Sequence, residues 1–228
     1  MNLGRWVPGK HDEKFSMSIL AMNTCQEVNG VSMLHGKVSR DMFQSFYKGY
    51  FPEELHIGHV TNGVHYATWT AKEWRQLYES KFGPDFIKDN YNPKYWEKIY
   101  DIEDEEIWEI RQILRKKLIG YIKDRYQNNW IRRNDNPKRL QKVLDTIDDN
   151  TLTIGFARRF ATYKRANLLF NDLERLSQLV NNKERPVQFL FAGKAHPNDK
   201  PGQDLIKQII EVSRMPEFTG KIIFVENY

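Results

Sequence analysis

The last third of the chain carries a pattern that few folds can accommodate. Three short runs rich in β-branched and aromatic residues, "TLTIGFA", "PVQFLFAG" and "KIIFVEN", are each bounded by turn-forming or charged residues. Buried parallel strands have such sequences because helices cover both faces of their sheet. Two helix-like segments separate the runs, so the order β-α-β-α-β predicts a doubly wound, Rossmann-like unit.

Both connecting segments show helical periodicity. The first runs from about Lys164 to Val180 and repeats leucines along one helix face, and neither Pro nor Gly interrupts it. The second, "GQDLIKQIIEVSR", follows Pro201 and places Leu205 and Ile209 on one face. We therefore predict one helix in each crossover.

The residues before this unit are mostly helical in pattern. A long amphipathic helix is expected after the acidic residues 103–106, which suit the positive end of a helix dipole. Shorter helices are predicted over "AKEWRQLYESKF" and over "FSMSILAMNTCQEVNG", the latter ending near Asn29 and Gly30. The apolar side of the long helix comprises Ile107, Ile110, Leu114, Leu118, Tyr121 and Ile122. The expected fold class is α/β, with a helical N-terminal part followed by a partial doubly wound unit.

The composition excludes several classes of protein. The 228 residues are 40% apolar and 13% aromatic, as in globular proteins. A net charge of +5, diluted by acidic runs, does not favour nucleic acid as a partner. The one cysteine, Cys25, cannot form an intramolecular disulfide. No secretory leader is evident, and no apolar run approaches the ~20 residues of a membrane-spanning helix. We expect a cytoplasmic protein without a membrane partner.

A cluster of cations follows the first predicted strand. We call residues 158–165 the basic turn, because Arg158, Arg159, Lys164 and Arg165 lie within it. In open α/β sheets, ligands bind at the carboxyl ends of the strands, which is where a strand ending near Ala157 would deliver these side chains. Lys164 and Arg165 are expected near the start of the next helix, where cations oppose the dipole unless an anion binds. A phosphate site and a solvated, salt-bridged loop both fit this position.

Five sequence blocks carry a family resemblance. They are "VNGVSMLHG", "HVTNGVHYATW", "ARRFATYKRANLLF", "FAGKAHPNDKPGQDLI" and "IIFVENY", and they extend along nearly the whole chain. Together they resemble the α-glucan (glycogen/starch) phosphorylase family, in particular its bacterial branch. The resemblance implies a GT-B glycosyltransferase with two Rossmann-like domains and a pyridoxal phosphate cofactor. It also implies a homo-oligomer that transfers the terminal glucosyl unit of an α-1,4-glucan to inorganic phosphate, with retention, giving glucose 1-phosphate.

The same resemblance implies roles for individual residues. Arg159 resembles the arginine that binds the substrate phosphate, and Lys164 resembles the lysine that contacts phosphate beside the cofactor. Tyr163 matches a tyrosine near the sugar, and Tyr228 matches a tyrosine beside the cofactor. Arg158 stands where better-known members carry a lysine that touches the cofactor phosphate. Arginine keeps the charge at this position but changes its geometry.

Two positions depart from the better-known members. Gln26 stands where they carry an active-site histidine close to the sugar, and Ala161 stands where they carry another histidine. The amide of Gln26 can still hydrogen-bond a sugar hydroxyl, although an ordinary polar residue near a helix end explains it equally well. Any contact made by the second imidazole is missing from this chain.

Several other motifs are expected to have no ligand. His35 is interpreted as a hydrogen-bonded turn or core residue. Asn29 and Asn62 each precede glycine, and Asn-Gly pairs predict turns with a left-handed backbone. Lys194 and His196 follow a predicted strand and therefore lie on the ligand edge of the sheet, but no step is assigned to them.

Three histidines lie close together in "HIGHVTNGVH", at positions 56, 59 and 65. A metal site is not predicted, because their spacing fits no strong motif. His56 and His59, three residues apart, would share a face on a helix. Gly58 and the β-branched residues near it indicate a loop or strand instead.

The resemblance also implies what the 228 residues omit. The family's cofactor lysine lies in a motif after "ENY", and its glycine-rich loop lies before "VNGV". We therefore expect an internal fragment that is inactive alone. Residues 1–62 would end the N-terminal domain, and residues 63–228 would supply a helical segment and half of the C-terminal domain. The alternatives are a nucleotide-sugar-dependent glycogen/starch synthase-like glycosyltransferase and a non-catalytic phosphate- or polyanion-binding module.

Overall fold

The structure is a computed structural model that describes residues 3–7, 12–133 and 136–226, with residues 131–133 described by their backbone only. The chain divides into two compact units, residues 1–76 and 77–228. The elements in the first 76 residues are α1 (Met17–Thr24), β1 (Val28–Gly30), α2 (Met33–Phe43), β2 (Ile57–His59), α3 (Tyr66–Trp69) and the start of α4 (Lys72–Phe82). Further along the chain lie α5 (Pro93–Glu97), α6 (Asp104–Arg133), α7 (Pro137–Thr146), β3 (Leu152–Ala157), α8 (Leu173–Val180), β4 (Val187–Ala192), α9 (Lys200–Ser213) and β5 (Ile222–Val225).

The first unit is built around a two-stranded parallel sheet. Strand β1 pairs with β2, with Gly30 opposite His59. A Cβ at Gly30 would lie 2.5 Å from the backbone nitrogen of Gly36 in α2. Glycine is therefore needed here for the close approach of strand and helix, and not for a turn.

Three sequence predictions in this unit are wrong. Helix α1 ends at Thr24, because Cys25 is extended (φ −88°, ψ 141°), and the helix does not reach Asn29. Asn29 lies inside β1 instead of in a turn, since pairing with β2 fixes an extended backbone. Asn62 also lacks the left-handed backbone that Asn-Gly turns require, as Arg165 is the one non-glycine residue with positive φ among those described.

The second unit contains the predicted parallel sheet, in the order β3-β4-β5. The register places Ala157 opposite Ala192, and Ala192 opposite Val225, so the carboxyl ends of all three strands are level. Each strand lies within the run from which it was predicted. The α/β class with parallel strands is thereby confirmed.

Helices bury both faces of this sheet. On one face Phe189 and Phe191 pack in a core with residues of α8 and α9 such as Leu176 and Ile209. On the other face Leu190 packs with residues of α6 and α7. Adjacent strand residues point to opposite faces, so a continuous apolar run is what two covered faces require.

The first crossover helix is shorter than predicted. Helix α8 begins only at Leu173, where the Asp172 side chain accepts a hydrogen bond from the Arg175 backbone N–H at 2.9 Å. The residues before it form two 3₁₀ turns, and Arg165 between them has a left-handed backbone (φ 54°). The predicted start at Lys164 is wrong because the aspartate cap sets the helix start and buried Phe170 holds the preceding segment.

The other helices agree more closely with their sequence patterns. Helix α9 begins at Lys200, two residues before the predicted run, with Asp199 capping the Gly202 N–H at 3.0 Å. Helix α6 has its predicted acidic first turn. Its predicted apolar side is partly wrong, because Leu118 and Tyr121 are about half exposed while Ile119 is buried against α7 and β5. Within the described ranges, no helix is long and apolar enough to cross a membrane.

Candidate functional site

The basic turn continues the edge of the sheet beyond β3. The Arg158 N–H donates a hydrogen bond to the Ala192 carbonyl at 3.2 Å, and the Phe160 N–H donates to the Lys194 carbonyl at 3.0 Å. These bonds extend the pairing of β3 with β4 past the last residue of each strand. The turn is therefore fixed at the carboxyl edge of the sheet, where the sequence predicts it.

Phe160 anchors the turn in the protein core. Its side chain is completely buried, with ring centroids of Phe156 and Phe224 at 5.5 and 5.9 Å. Arg158 and Arg159, immediately before it, are exposed. One buried aromatic side chain thus holds two neighbouring guanidinium groups at the surface.

Two glycines allow the segment between β4 and α9 to approach the turn closely. A Cβ at Gly193, whose φ is 147°, would overlap the Arg158 carbonyl oxygen. A Cβ at Gly202 would lie 2.7 Å from the Phe160 carbonyl oxygen. Neither close approach is predicted from the sequence, in which Gly193 ends the run that contains β4 and Gly202 marks the expected start of α9.

The remaining side chains of the turn lie on its outer part. Tyr163 is 76% exposed, and Lys164 is partly buried with its Nζ 5.7 Å from the centre of the Tyr163 ring. The Lys164 N–H donates to the Ala161 carbonyl, which closes a 3₁₀ turn. Lys164 and Arg165 are therefore not at a helix start, because α8 begins eight residues after Arg165.

Among the described residues, none of the four cationic side chains of the basic turn forms a salt bridge with a carboxylate. A salt-bridged loop therefore does not describe this segment. Arg158, Arg159 and Lys164 form a donor set suited to a phosphate group, since guanidinium binds it through paired hydrogen bonds and ammonium acts as a point charge.

Two of the predicted site residues are not part of the basic turn. Gln26 is exposed in the first unit, between α1 and β1. Tyr228 lies outside the described residues. The roles assigned to both stay predictions.

Three of the histidines take part in local hydrogen bonds. His35 lies in α2, where its Nδ1 accepts from the Val31 N–H at 3.0 Å; it is hydrogen-bonded as predicted, but in an exposed helix rather than a turn or the core. The Nδ1 of His65 lies 2.7 Å from the Thr68 hydroxyl, and the Nδ1 of His196 accepts from the Asn198 N–H at 3.1 Å. Across the described part of the chain, no three His, Cys, Asp or Glu side chains are grouped to hold a metal ion.

A parallel sheet covered by helices, with a cationic turn at its carboxyl edge, defines the class as an α/β protein with a cationic edge. Comparison with known proteins identifies the family within this class. The chain belongs to the carbohydrate phosphorylase family, which it matches over residues 5–228. The predicted family is confirmed.

Several curated proteins are similar to the chain over nearly its whole length. Glycogen phosphorylase of Aquifex aeolicus is 42% identical, across 97% of this chain and 32% of that protein. Glycogen phosphorylase of Mycobacterium bovis is 40% identical, across 94% and 25%. Maltodextrin phosphorylase of Thermococcus litoralis is 40% identical, across 96% and 26%. The chain therefore spans about a quarter to a third of the length of these relatives.

Proposed function

We propose that this chain carries the phosphate-binding edge of an α-glucan phosphorylase. The complete enzyme would transfer the terminal glucosyl unit of an α-1,4-glucan to inorganic phosphate, with retention, and release glucose 1-phosphate. One observation carries the proposal: Arg158, Arg159 and Lys164 are held at the carboxyl edge of a parallel sheet without acidic partners among the described residues, in a member of the carbohydrate phosphorylase family. The isolated chain would be inactive.

Arg159 and Lys164 are proposed to position the attacking phosphate. The exposed guanidinium of Arg159 would bind two phosphate oxygens at once, and the ammonium of Lys164 would add a nearby positive charge. Their charge would stabilise the oxyanion most strongly once substrate has displaced water from the site. Tyr163, which is 76% exposed, and Gln26, which is also exposed, would contact the sugar.

The cofactor of the complete enzyme is proposed to be pyridoxal phosphate. Arg158, Lys164 and Tyr228 are the residues of this chain that would hold it. When bound, its phosphate would supply a group that exchanges a proton with the substrate phosphate. The backbone of Arg158 packs so closely against Gly193 that a Cβ at Gly193 would overlap the Arg158 carbonyl oxygen. This close packing supports a fixed position for the Arg158 backbone.

The proposed substrates and architecture follow the family. The relatives are named for glycogen and maltodextrin, so glycogen, starch and maltodextrin are the proposed glucans. The finer fold is proposed to be the two-domain GT-B architecture, with residues 1–62 ending one domain and residues 63–228 entering the next. The complete protein is proposed to be a cytoplasmic homo-oligomer that binds neither membrane nor nucleic acid.

Replacing Arg159 in the complete enzyme tests this proposal. Arg159→Ala should lower the rate of phosphorolysis by about a hundredfold or more, because a lost oxyanion donor costs that much in related chemistry, while the fold is unchanged. Arg185→Ala is the matched control, since Arg185 is exposed before β4, at the opposite end of the strands. Near-normal turnover of Arg159→Ala would refute the assignment.

The two alternative functions give different results in the same assays. A nucleotide-sugar-dependent synthase would extend glucan from a nucleotide sugar and ignore inorganic phosphate. A polyanion-binding module would bind nucleic acid with a steep dependence on salt concentration. Phosphate-dependent release of glucose 1-phosphate separates the proposed enzyme from both.

A further inference from the structure

A second cationic site lies in a cavity of the second unit that includes no residue of the basic turn. The cavity has a volume of about 50 Å³ and is partly open to solvent, and its walls come from α6, α7, α9 and the end of β5. We call it the arginine pocket; its charged and aromatic lining includes Arg125, Tyr126, Trp130, Arg139, Arg214 and Glu226.

Positive charge exceeds negative charge in this lining. Arg125 is held in place, because its Nε donates to the Glu226 carbonyl oxygen at 2.9 Å and its Nη1 donates to the Tyr121 hydroxyl. Arg139 and Arg214 have no carboxylate within salt-bridge distance in the parts of the chain that are described. Arg139 and Arg214 therefore line the cavity without an anionic partner among the described residues.

Two residues of the lining carry buried N–H groups that have no acceptor among the described residues. Trp130 is only 9% exposed, and its indole N–H has no hydrogen-bond acceptor among the described residues. The Nε of Arg139 is buried in the same way, and its guanidinium lies 5.8 Å from the centre of a Trp130 ring. Buried donors in native proteins nearly always have a partner, which is a protein atom, a water molecule or an ion.

The position of Arg139 is not explained by helix stability. Arg139 lies in the first turn of α7, which begins at Pro137. A cation at this end of a helix opposes the helix dipole, whereas an anion is stabilised there by both the dipole and the cation. The charge of Arg139 therefore suits a bound anion better than an empty pocket.

We propose that the arginine pocket binds a small molecule carrying a phosphate group, either inorganic phosphate or a phosphate ester. Arg139 and Arg214 would supply paired donors to its oxygens. Because Arg139 now covers the indole, binding would draw Arg139 toward the anion and change the surroundings of the Trp130 N–H. Rings of Tyr126 and Trp130, with centroids 5.5 Å apart, form an apolar wall for the rest of an ester. The proposal does not depend on the enzyme activity.

The test is a titration of the full 228-residue chain followed through its indole N–H resonances. The chain has six tryptophans, and the Trp130 signal is assigned as the one that disappears in Trp130→Phe. Inorganic phosphate and phenyl phosphate are added separately at constant ionic strength, with chloride as the reference. We expect the Trp130 signal to shift saturably with at least one of the two compounds. Saturation by inorganic phosphate or by phenyl phosphate shows whether the pocket binds the free anion or a phosphate ester. A shift that is the same in chloride would mean a water-filled pocket and overturn the proposal.

Variants assign the shift to the pocket. Arg139→Met and Arg214→Met should each weaken phosphate binding by about tenfold, the usual effect of losing a charge-assisted contact. Lys142→Met removes the same charge from an exposed position of α7 outside the pocket and should leave binding unchanged. Arg159→Met, in the basic turn, should also leave the Trp130 shift unchanged. Undiminished binding in a folded Arg139→Met or Arg214→Met chain would refute the site.

Discussion

The basic turn and the arginine pocket bring guanidinium groups to the same sheet in different ways. In the turn, Arg158 and Arg159 are adjacent in sequence, exposed, and fixed through backbone hydrogen bonds to the segment after β4. In the pocket, Arg125, Arg139 and Arg214 come from α6, α7 and the end of α9, and two of them lie over aromatic rings. The turn is organised by its backbone, and the pocket is organised by side-chain packing.

This difference decides which substitutions damage each site. A site organised by its backbone is sensitive to buried anchors and to any added Cβ where two segments approach closely. A site organised by packed side chains tolerates backbone changes elsewhere but depends on its rings and on the anion that offsets its charge.

Loss of the Phe160 anchor should have the largest effect. Phe160→Ala removes a completely buried ring and should lower the free energy of unfolding by about 3 to 5 kcal/mol. Tyr163→Ala, in the same turn but 76% exposed, should change it by about 0.5 kcal/mol or less. Chemical denaturation measures both. Equal effects of the two substitutions would show that the turn is not anchored through Phe160.

Adding a Cβ at Gly193 should have the next largest effect. Gly193→Ala places a methyl group against the Arg158 carbonyl at a φ of 147°, so we expect a loss of about 2 to 3 kcal/mol in the free energy of unfolding. Gly155→Ala is the control, because a Cβ at this glycine in β3 meets nothing within 4 Å. If both variants are equally stable, the close approach does not constrain the turn.

The unpartnered N–H of Trp130 predicts a small effect that depends on the anion. In buffer without phosphate, Trp130→Phe should change the free energy of unfolding by about 1 kcal/mol or less, because it removes a buried donor together with part of the ring. Phosphate should raise the thermal stability of the unsubstituted chain, because it binds only the folded state. It should not raise the thermal stability of the Arg139→Met variant. A phosphate effect that survives Arg139→Met would assign the stabilisation to another region.

Asp148, just before β3, belongs to neither cationic site and provides a reference residue. Burial alone would raise the pKa of Asp148, but hydrogen bonds from the Asn150 N–H and from Thr151 lower this pKa below its ordinary value of 3.8. Because folding lowers this pKa, the ionised Asp148 carboxylate stabilises the folded chain above pH 3.8. This stabilisation is lost as the pH falls through the pKa of Asp148 in the folded chain. Asp148→Asn should therefore reduce the loss of stability in this acidic range, as acid titration of the unfolding midpoint would show. An unchanged acid dependence would contradict it.

The parts of the fold that sequence predicted correctly are those with a local physical cause. The runs containing β3, β4 and β5 were identified because two covered faces require continuous apolar residues. The start of α8 was predicted wrongly because the leucine repeat continues back into 3₁₀ turns, and the Asp172 cap was not recognised. The strand at Asn29 was missed because its extended backbone depends on pairing with Gly58 of β2, which lies 29 positions further along the chain.

The same reasoning applies to the two cationic sites. The basic turn is visible in the sequence because four of its eight residues are cationic. The arginine pocket is not visible, because residues 125, 139 and 214 come together only when α6, α7 and α9 pack beside β5. The close approaches at Gly193 and Gly202 are hidden for a related reason, since the carbonyl oxygens that their Cβ atoms would meet belong to residues more than 30 positions away.

The central claim is that the basic turn belongs to an enzyme that uses inorganic phosphate to cleave α-1,4-glucan. The most direct measurement incubates the complete protein, loaded with pyridoxal phosphate, with maltodextrin and isotope-labelled inorganic phosphate. The account predicts that the label appears in α-glucose 1-phosphate and that Arg159→Ala abolishes most of its incorporation. Absence of labelled glucose 1-phosphate from the active, folded protein, together with glucan extension from a nucleotide sugar, would contradict it.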